Sequence, residues 1–118
     1  MRIDAPRRGE VWFLDLDAAP PARGHEQAFP RPALVFSADT FNRRAGYLAV
    51  VLPLTRTDLR NPAHILVQPP EGGVTAPSFI LCDQIRSVSH LRLRRLLGQV
   101  SPTTLHTVEH AVRMIIDL

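Results

Sequence analysis

Arg23, His25, Glu26, Gln27 and Arg31 bring two guanidinium groups, an imidazole, a carboxylate and a carboxamide into one short stretch. Its Gly24 and its Pro30 and Pro32 bound a loop that runs directly into the apolar residues Ala33-Leu34-Val35-Phe36. Loops set on a rigid scaffold carry function more often than stability. Arg31 lies between two prolines, so its backbone is held extended and its side chain is aimed by a stiff chain. A guanidinium placed in this way is a good clamp for a phosphate: its donor fork matches the oxygens, and a fixed cation stabilises charge that develops in a transition state. The competing reading is a surface arginine paired with Glu26 or Asp39, and these residues alone do not choose between the two. His25 beside Glu26 is a candidate acid/base pair, or a loop histidine that only tunes binding.

Further polar groups fall at the ends of apolar runs. Thr55 follows Val50-Val51-Leu52-Pro53-Leu54 and is followed by Arg56 and Thr57. A hydroxyl there either forms a turn or donates to a phosphate oxygen, with a basic neighbour at hand. Asp83-Gln84-Ile85-Arg86 is either a salt-bridged corner or part of a nucleotide site, and sequence does not separate these. His106-Thr107-Val108-Glu109-His110 matches a pattern in which two imidazoles one helical turn apart bind zinc. Here both imidazoles fall on the face away from Leu105, Val112 and Ile116, which makes the match a chance one on a solvated face. His64 and His90 receive no role. Cys82, inside Phe79-Ile80-Leu81-Cys82, reads as a small buried hydrophobe.

The elements that must position these groups are mostly strands. Val11 to Leu16, Pro32 to Ser37, Gly46 to Leu54, Ala63 to Gln68 and Ser78 to Asp83 read as strands, the last continuing with a bend through Arg86. Ala38 to Ala45 suits a turn or short helix, and Asp17 to Ala22, with two prolines, is a loop. Several strands are apolar at consecutive positions, so both faces must be covered, by a barrel interior on one side and by a helix or second subunit on the other. The single amphipathic helix is Ser101 to Ile116, with Ser101 as N-cap and Pro102 at its first position. Leu105, Val108, Val112, Ile115 and Ile116 form its apolar face. This is a mainly β chain with one C-terminal helix, a small closed or half-open barrel.

With 118 residues and 45% hydrophobic content, the chain is expected to be one domain, residues 1–118, with a modest core. No run approaches the length of a membrane span and Met1 to Glu10 lacks a signal-peptide core, so a cytoplasmic protein is expected. A lone cysteine excludes a disulfide or Cys-based zinc framework within the chain. All 14 basic residues are arginine and the formal net charge is +3. Without lysine no Schiff-base chemistry is open. Planar cations suit phosphate, though the charge is mild.

Arg8-Gly9-Glu10-Val11-Trp12, Gly24-His25-Glu26-Gln27, Arg31-Pro32-Ala33-Leu34-Val35, Pro53-Leu54-Thr55, Leu81-Cys82-Asp83-Gln84-Ile85-Arg86 and the closing helix follow one another in an order that resembles the MazF/PemK family of toxin endoribonucleases. The resemblance implies a small SH3-like β-barrel with a C-terminal helix. It implies a homodimer, neutralised by a cognate MazE-like antitoxin peptide. The implied reaction is metal-independent cleavage of single-stranded RNA at short motifs, by attack of the ribose 2'-hydroxyl, to leave 2',3'-cyclic phosphate and 5'-hydroxyl ends, with no cofactor. Arg31 and Thr55 then match the family's catalytic arginine and threonine, and the 2'-hydroxyl proton goes to Glu26 or to solvent, since arginine is a poor general base. His25, Gln27, Phe29, Arg56, Asp83, Gln84 and Arg86 become candidates for holding bases and flanking phosphates.

The chain also departs from that pattern. Its loop from Asp17 to Gly24 is longer and richer in proline, Phe29 stands where glycine is common, and Arg56 replaces a small polar residue. Phe29 offers a base a stacking surface or stiffens the loop. The same fold resembles CcdB-type toxins, which bind gyrase and cleave nothing, and a degenerate nucleic-acid-binding module is a third possibility. Arg31 and Thr55 together favour the nuclease.

Overall fold

The apolar runs of the sequence become strands because alternate side chains find cover on both sides. The computed structural model describes residues 5–15, 31–44 and 46–118. His25, Glu26, Gln27, Phe29, the Asp17 to Ala22 loop and Leu16 lie outside the described residues. The expected strands are present as β1 (Glu10–Leu14), β2 (Arg31–Val35), β3 (Leu48–Thr55), β4 (His64–Val67) and β5 (Ser78–Leu81). Two further strands have no counterpart in the sequence reading: β6 (Arg86–Ser89) and β7 (Leu93–Gln99). The fifth strand does not bend on through Arg86. It stops at Leu81, the Gln84 N–H donates back to the Leu81 carbonyl at 3.0 Å, and the chain restarts as β6 against β3. A short helix, α1 (Asp39–Asn42), fills the expected turn region, and α2 (Pro102–Ile116) closes the chain.

All pairings are antiparallel, in a seven-stranded sheet of order β4-β5-β3-β2-β1-β7 with β6 also on β3. The sheet curls without closing, so the expected barrel is half-open. β3 is shared along its length: Leu48 to Val51 pair with β6, Leu54 and Thr55 with β5. Pro53 sits in the gap between these partners, where a residue lacking an N–H is tolerated within a central strand.

Two apolar clusters cover the two faces of the central strands. Val11, Leu34, Leu52, Leu54, Val67, Ile80, Cys82, Val100, Val108 and Val112 form one, beneath α2. Leu14, Ala33, Val35, Ala49, Val51, Val88 and Leu93 form the other, enclosed by β6 and β7. The consecutive apolar residues of β2 and β3 are thus explained by the chain's own strands and helix.

α2 is capped as its sequence implies. Ser101 Oγ accepts from the Thr104 N–H at 3.1 Å, Pro102 occupies the first turn, and Glu71 Oε2 accepts from the Ser101 N–H at 2.9 Å. Val108 and Val112 are buried and Leu105 and Ala111 pack beside them. Ile115 and Ile116, expected in the apolar face, are exposed together with Met114 and Leu118. Val112 is the last buried residue, and the final turn runs on beyond the core that the helix covers.

Candidate active site

The β2–β3 ladder brings together the two residues that matter most. Ala33 faces Pro53, Leu34 faces Leu52 and Val35 faces Val51. Followed two residues further, this register sets Arg31 across from Thr55, and directly opposed residues share a face of a sheet. Both line one open cleft of about 490 Å³. Arg56 and Thr57 also line it, as do Phe13 of β1, Arg95 and Leu97 of β7, and Gly73, Val74, Thr75 and Ser78 from the segment leading into β5.

The walls are fixed by contacts within the chain. Arg56 donates to Thr75 Oγ1 at 3.0 Å, tying the end of β3 to the segment before β5. Phe13 and Arg95 face one another across the β1–β7 ladder, and the Arg95 guanidinium lies over the Phe13 ring, 5.6 Å from its centroid. The Thr57 N–H donates to Thr55 Oγ1 at 3.2 Å. A hydroxyl that accepts one bond in this way keeps its own proton for another acceptor. Gly73 makes the wall possible. At φ 73° it presses against β7, and a Cβ there would stand 2.1 Å from the Leu97 carbonyl oxygen. Only glycine allows both that conformation and that approach.

The cleft is cationic. Among the described residues, three arginines line it and no carboxylate does. Burial lowers the Arg31 guanidinium from its usual pKa. An arginine so placed still remains charged, and its desolvation strengthens its attraction for an anion. Arg31 and Thr55 thus line the same cleft, a cation and a hydroxyl of the kinds that suit an anionic group.

The remaining sequence candidates go elsewhere. Asp83 is exposed and hydrogen-bonds the buried His64 ring through Nε2 at 2.9 Å, so it already has a partner within the chain. Arg86 faces Val51 on β6, four residues back along β3 from Thr55, or roughly 13 Å. Asp83, exposed Gln84 and exposed Arg86 therefore form a separate polar rim outside the cleft. His106 and His110 point to solvent, and Glu109 pairs with Arg8. Cys82 is fully buried, and burial first, then the charge of Asp83, pushes its thiol up to about 11. It stays neutral at physiological pH and is unreactive.

Sequence reasoning missed Phe13, Thr75 and Arg95 as cleft residues. The only local signal was the Arg94-Arg95 pair within a leucine-rich run. What joins Arg95 to Phe13 is strand register, and register is not written in either segment alone.

A curled antiparallel sheet with an arginine and a threonine lining one arginine-rich cleft defines a small β protein with a candidate site for an anionic ligand. Within that class the chain belongs to the family of PemK-like, MazF-like toxins of type II toxin-antitoxin systems, whose sequence model matches residues 7–116. It is 36% identical over 117 residues to endoribonuclease MazF9 of Mycobacterium tuberculosis, covering 95% of this chain and 97% of that protein. The solved structure of MazF from Deinococcus radiodurans is similar with a TM-score of 0.79 at 27% identity, covering 98% of this chain and 99% of the other. A mycobacterial endoribonuclease in complex with its cognate antitoxin is similar with a TM-score of 0.74 at 25% identity, covering 98% and 97%. The expected fold and family are both met.

Proposed function

We propose that the chain, acting as a single toxin domain over residues 1–118, is a sequence-specific endoribonuclease that cleaves single-stranded RNA and so inhibits translation and growth. The observation that carries this reading is that Arg31 and Thr55, which the β2–β3 register extended by two residues sets opposite each other, line one cleft that among the described residues holds three arginines and no carboxylate. Relatives named as endoribonucleases support it.

The reaction needs little from the protein beyond position and charge. The 2'-oxygen of the ribose attacks the adjacent phosphorus and loses its proton to a base, for which we assign Glu26 or solvent. The P–O5' bond breaks, the departing 5'-oxygen takes up a proton, and the products are a 2',3'-cyclic phosphate and a 5'-hydroxyl. In this scheme we assign Arg31 to stabilise the phosphorane and to protonate the leaving oxygen, and Thr55 to donate to a non-bridging oxygen. Because the substrate supplies the nucleophile, the scheme requires no metal or cofactor. Arg56 holds a flanking phosphate, and His25, Gln27 and Phe29 read bases. Asp83, Gln84 and Arg86, on the rim, serve a more distant part of the strand.

The same reading includes a homodimer neutralised by a MazE-like antitoxin peptide, as the antitoxin complex of the mycobacterial relative suggests. Among the described residues no helix is long and apolar enough to cross a membrane. A cytoplasmic toxin acting on cytoplasmic RNA fits that.

The test is a primer-extension map of a long unstructured RNA incubated with the protein in EDTA, beside Arg31→Ala and Thr55→Ala. Discrete cuts with cyclic-phosphate and 5'-hydroxyl ends, absent in both variants, are expected. Intact RNA with a folded, antitoxin-free protein would overturn the nuclease in favour of a binding protein.

A further inference from the structure

Arg95 is the one cleft arginine among the described residues with no part in the chemistry above. It projects from β7 opposite Phe13, and its guanidinium is held over the Phe13 ring at 5.6 Å from the centroid. The ring quadrupole attracts the cation and fixes the plane of the fork. No salt bridge neutralises Arg95 among the described residues. It is also exposed, so its in-plane donors are open to a ligand.

The position of Arg95 in the sheet limits what it can hold. β7, β1, β2 and β3 are successive strands, so the Arg95 backbone lies two strand spacings from Arg31 and three from Thr55, about 10 and 14 Å. With its head held over the β1 ring, Arg95 stands to one side of Arg31 and Thr55 in the cleft, which favours a phosphate other than theirs.

We propose that Arg95, seated on Phe13, binds the backbone phosphate of a nucleotide flanking the scissile one, and so fixes the direction in which the strand crosses the cleft. This rests on the reading of the cleft as an RNA site. Arg95 is a binding residue here and takes no part in bond breaking. The stack gives the contact its strength: a guanidinium already ordered on an aromatic face loses less freedom when it meets an anion. Phosphate contacts carry no base information, so the effect of losing Arg95 is the same across sequences.

The test uses a fluorescein-labelled mixed-sequence 2'-O-methyl oligonucleotide, which cannot supply the attacking hydroxyl. Binding is followed by anisotropy at several salt concentrations, and cleavage of ordinary RNA is measured in parallel. Arg95→Gln is expected to weaken binding roughly five- to tenfold and to reduce the slope of log Kd against log salt by about 0.7, the share of one phosphate on a single strand. Its KM rises by a similar factor while kcat at saturation is unchanged. Phe13→Leu keeps the cation and loses its seat, so binding weakens with the salt slope retained. Arg95→Gln binding like wild type, or weakening without a change of slope, would overturn the proposal, as would a fall in kcat alone. A wild-type chain that binds with this Arg95 dependence but cuts nothing would overturn the nuclease and leave the Arg95 assignment standing.

Discussion

Thr55 is a single hydroxyl whose role can be isolated. Its oxygen accepts the Thr57 N–H, which leaves the hydroxyl proton available to an acceptor in the cleft that Thr55 lines. If that proton meets a non-bridging oxygen as charge develops there, the bond is stronger in the transition state than in the ground state and acts on kcat. Thr55→Ser keeps the hydroxyl and is expected to retain most activity. Thr55→Val, which keeps the shape, is expected to lose about 10²–10³ in the single-turnover rate, typical of one lost donor to a developing oxyanion, with little change in KM. Equal rates for the valine and serine variants would remove Thr55 from the chemistry and leave it a turn former. The local sequence made Arg31 and Thr55 candidates, one by its flanking prolines and the other by the apolar run before it, while their proposed roles come from the resemblance to the MazF/PemK family. What sequence could not supply was their opposition, which depends on how β2 and β3 align.

The segment Glu71–Gly73 shows how an element off the site supports it. It is a short 3-10 turn that caps α2 through Glu71 and forms one side of the cleft through Gly73. Burial alone would raise the Glu71 carboxyl, but hydrogen bonds from Thr104 and Ser101 outweigh it and hold the group below its usual pKa of 4.5. The folded form therefore binds fewer protons than the unfolded chain in the window just below 4.5. Stability from this group is complete above that pH and falls as pH drops through the lowered folded value. Glu71→Gln removes the dependence: we expect a lower melting temperature than wild type at pH 7 and a gap that narrows as the pH falls below about 4. A constant gap between the two melting curves from pH 7 to 3 would show that the carboxylate charge contributes nothing. Elements like α2, with its Ser101-Pro102 start and valines at helical spacing, are written locally and were read correctly. β7 was not, for a physical reason. Its ladder with β1 shifts register between Val11 and Trp12 and again between Phe13 and Leu14. Such irregularities break the two-residue period by which strands are recognised, and Arg94-Arg95 in mid-run conceals it further. Missing β7 meant missing Arg95 and the wall it forms.

At the scale of the whole molecule, the two ends of the chain are joined far from the cleft. Arg8 donates to the Phe36 carbonyl and to Glu109 of α2, and its guanidinium lies 4.5 Å from the centre of the Phe36 ring. Nearby, the Gly9 N–H donates to Val35 and the Val100 N–H to Gly9, each at about its ideal length of 2.8 and 2.9 Å. Phe36 follows the opposite end of β2 from Arg31, about 16 Å along the strand. Arg8 therefore belongs to the closure of the fold and not to the site, although both are arginines in a basic chain. Arg8→Ala is expected to cost about 1–3 kcal/mol, since it removes a partly buried charged donor and strands Glu109. For a domain near this size that lowers the melting temperature by several degrees or more. RNA cleavage well below the melting temperature should be unchanged, because the partners of Arg8 among the described residues, Asp39, Phe36 and Glu109, lie outside the cleft. A double-mutant cycle with Glu109→Ala measures how much of the loss is the pair itself, with a coupling near zero assigning the cost to Phe36 instead. Loss of cleavage by a fully folded Arg8→Ala protein would show that Arg8 is needed for the reaction as well as for closing the fold.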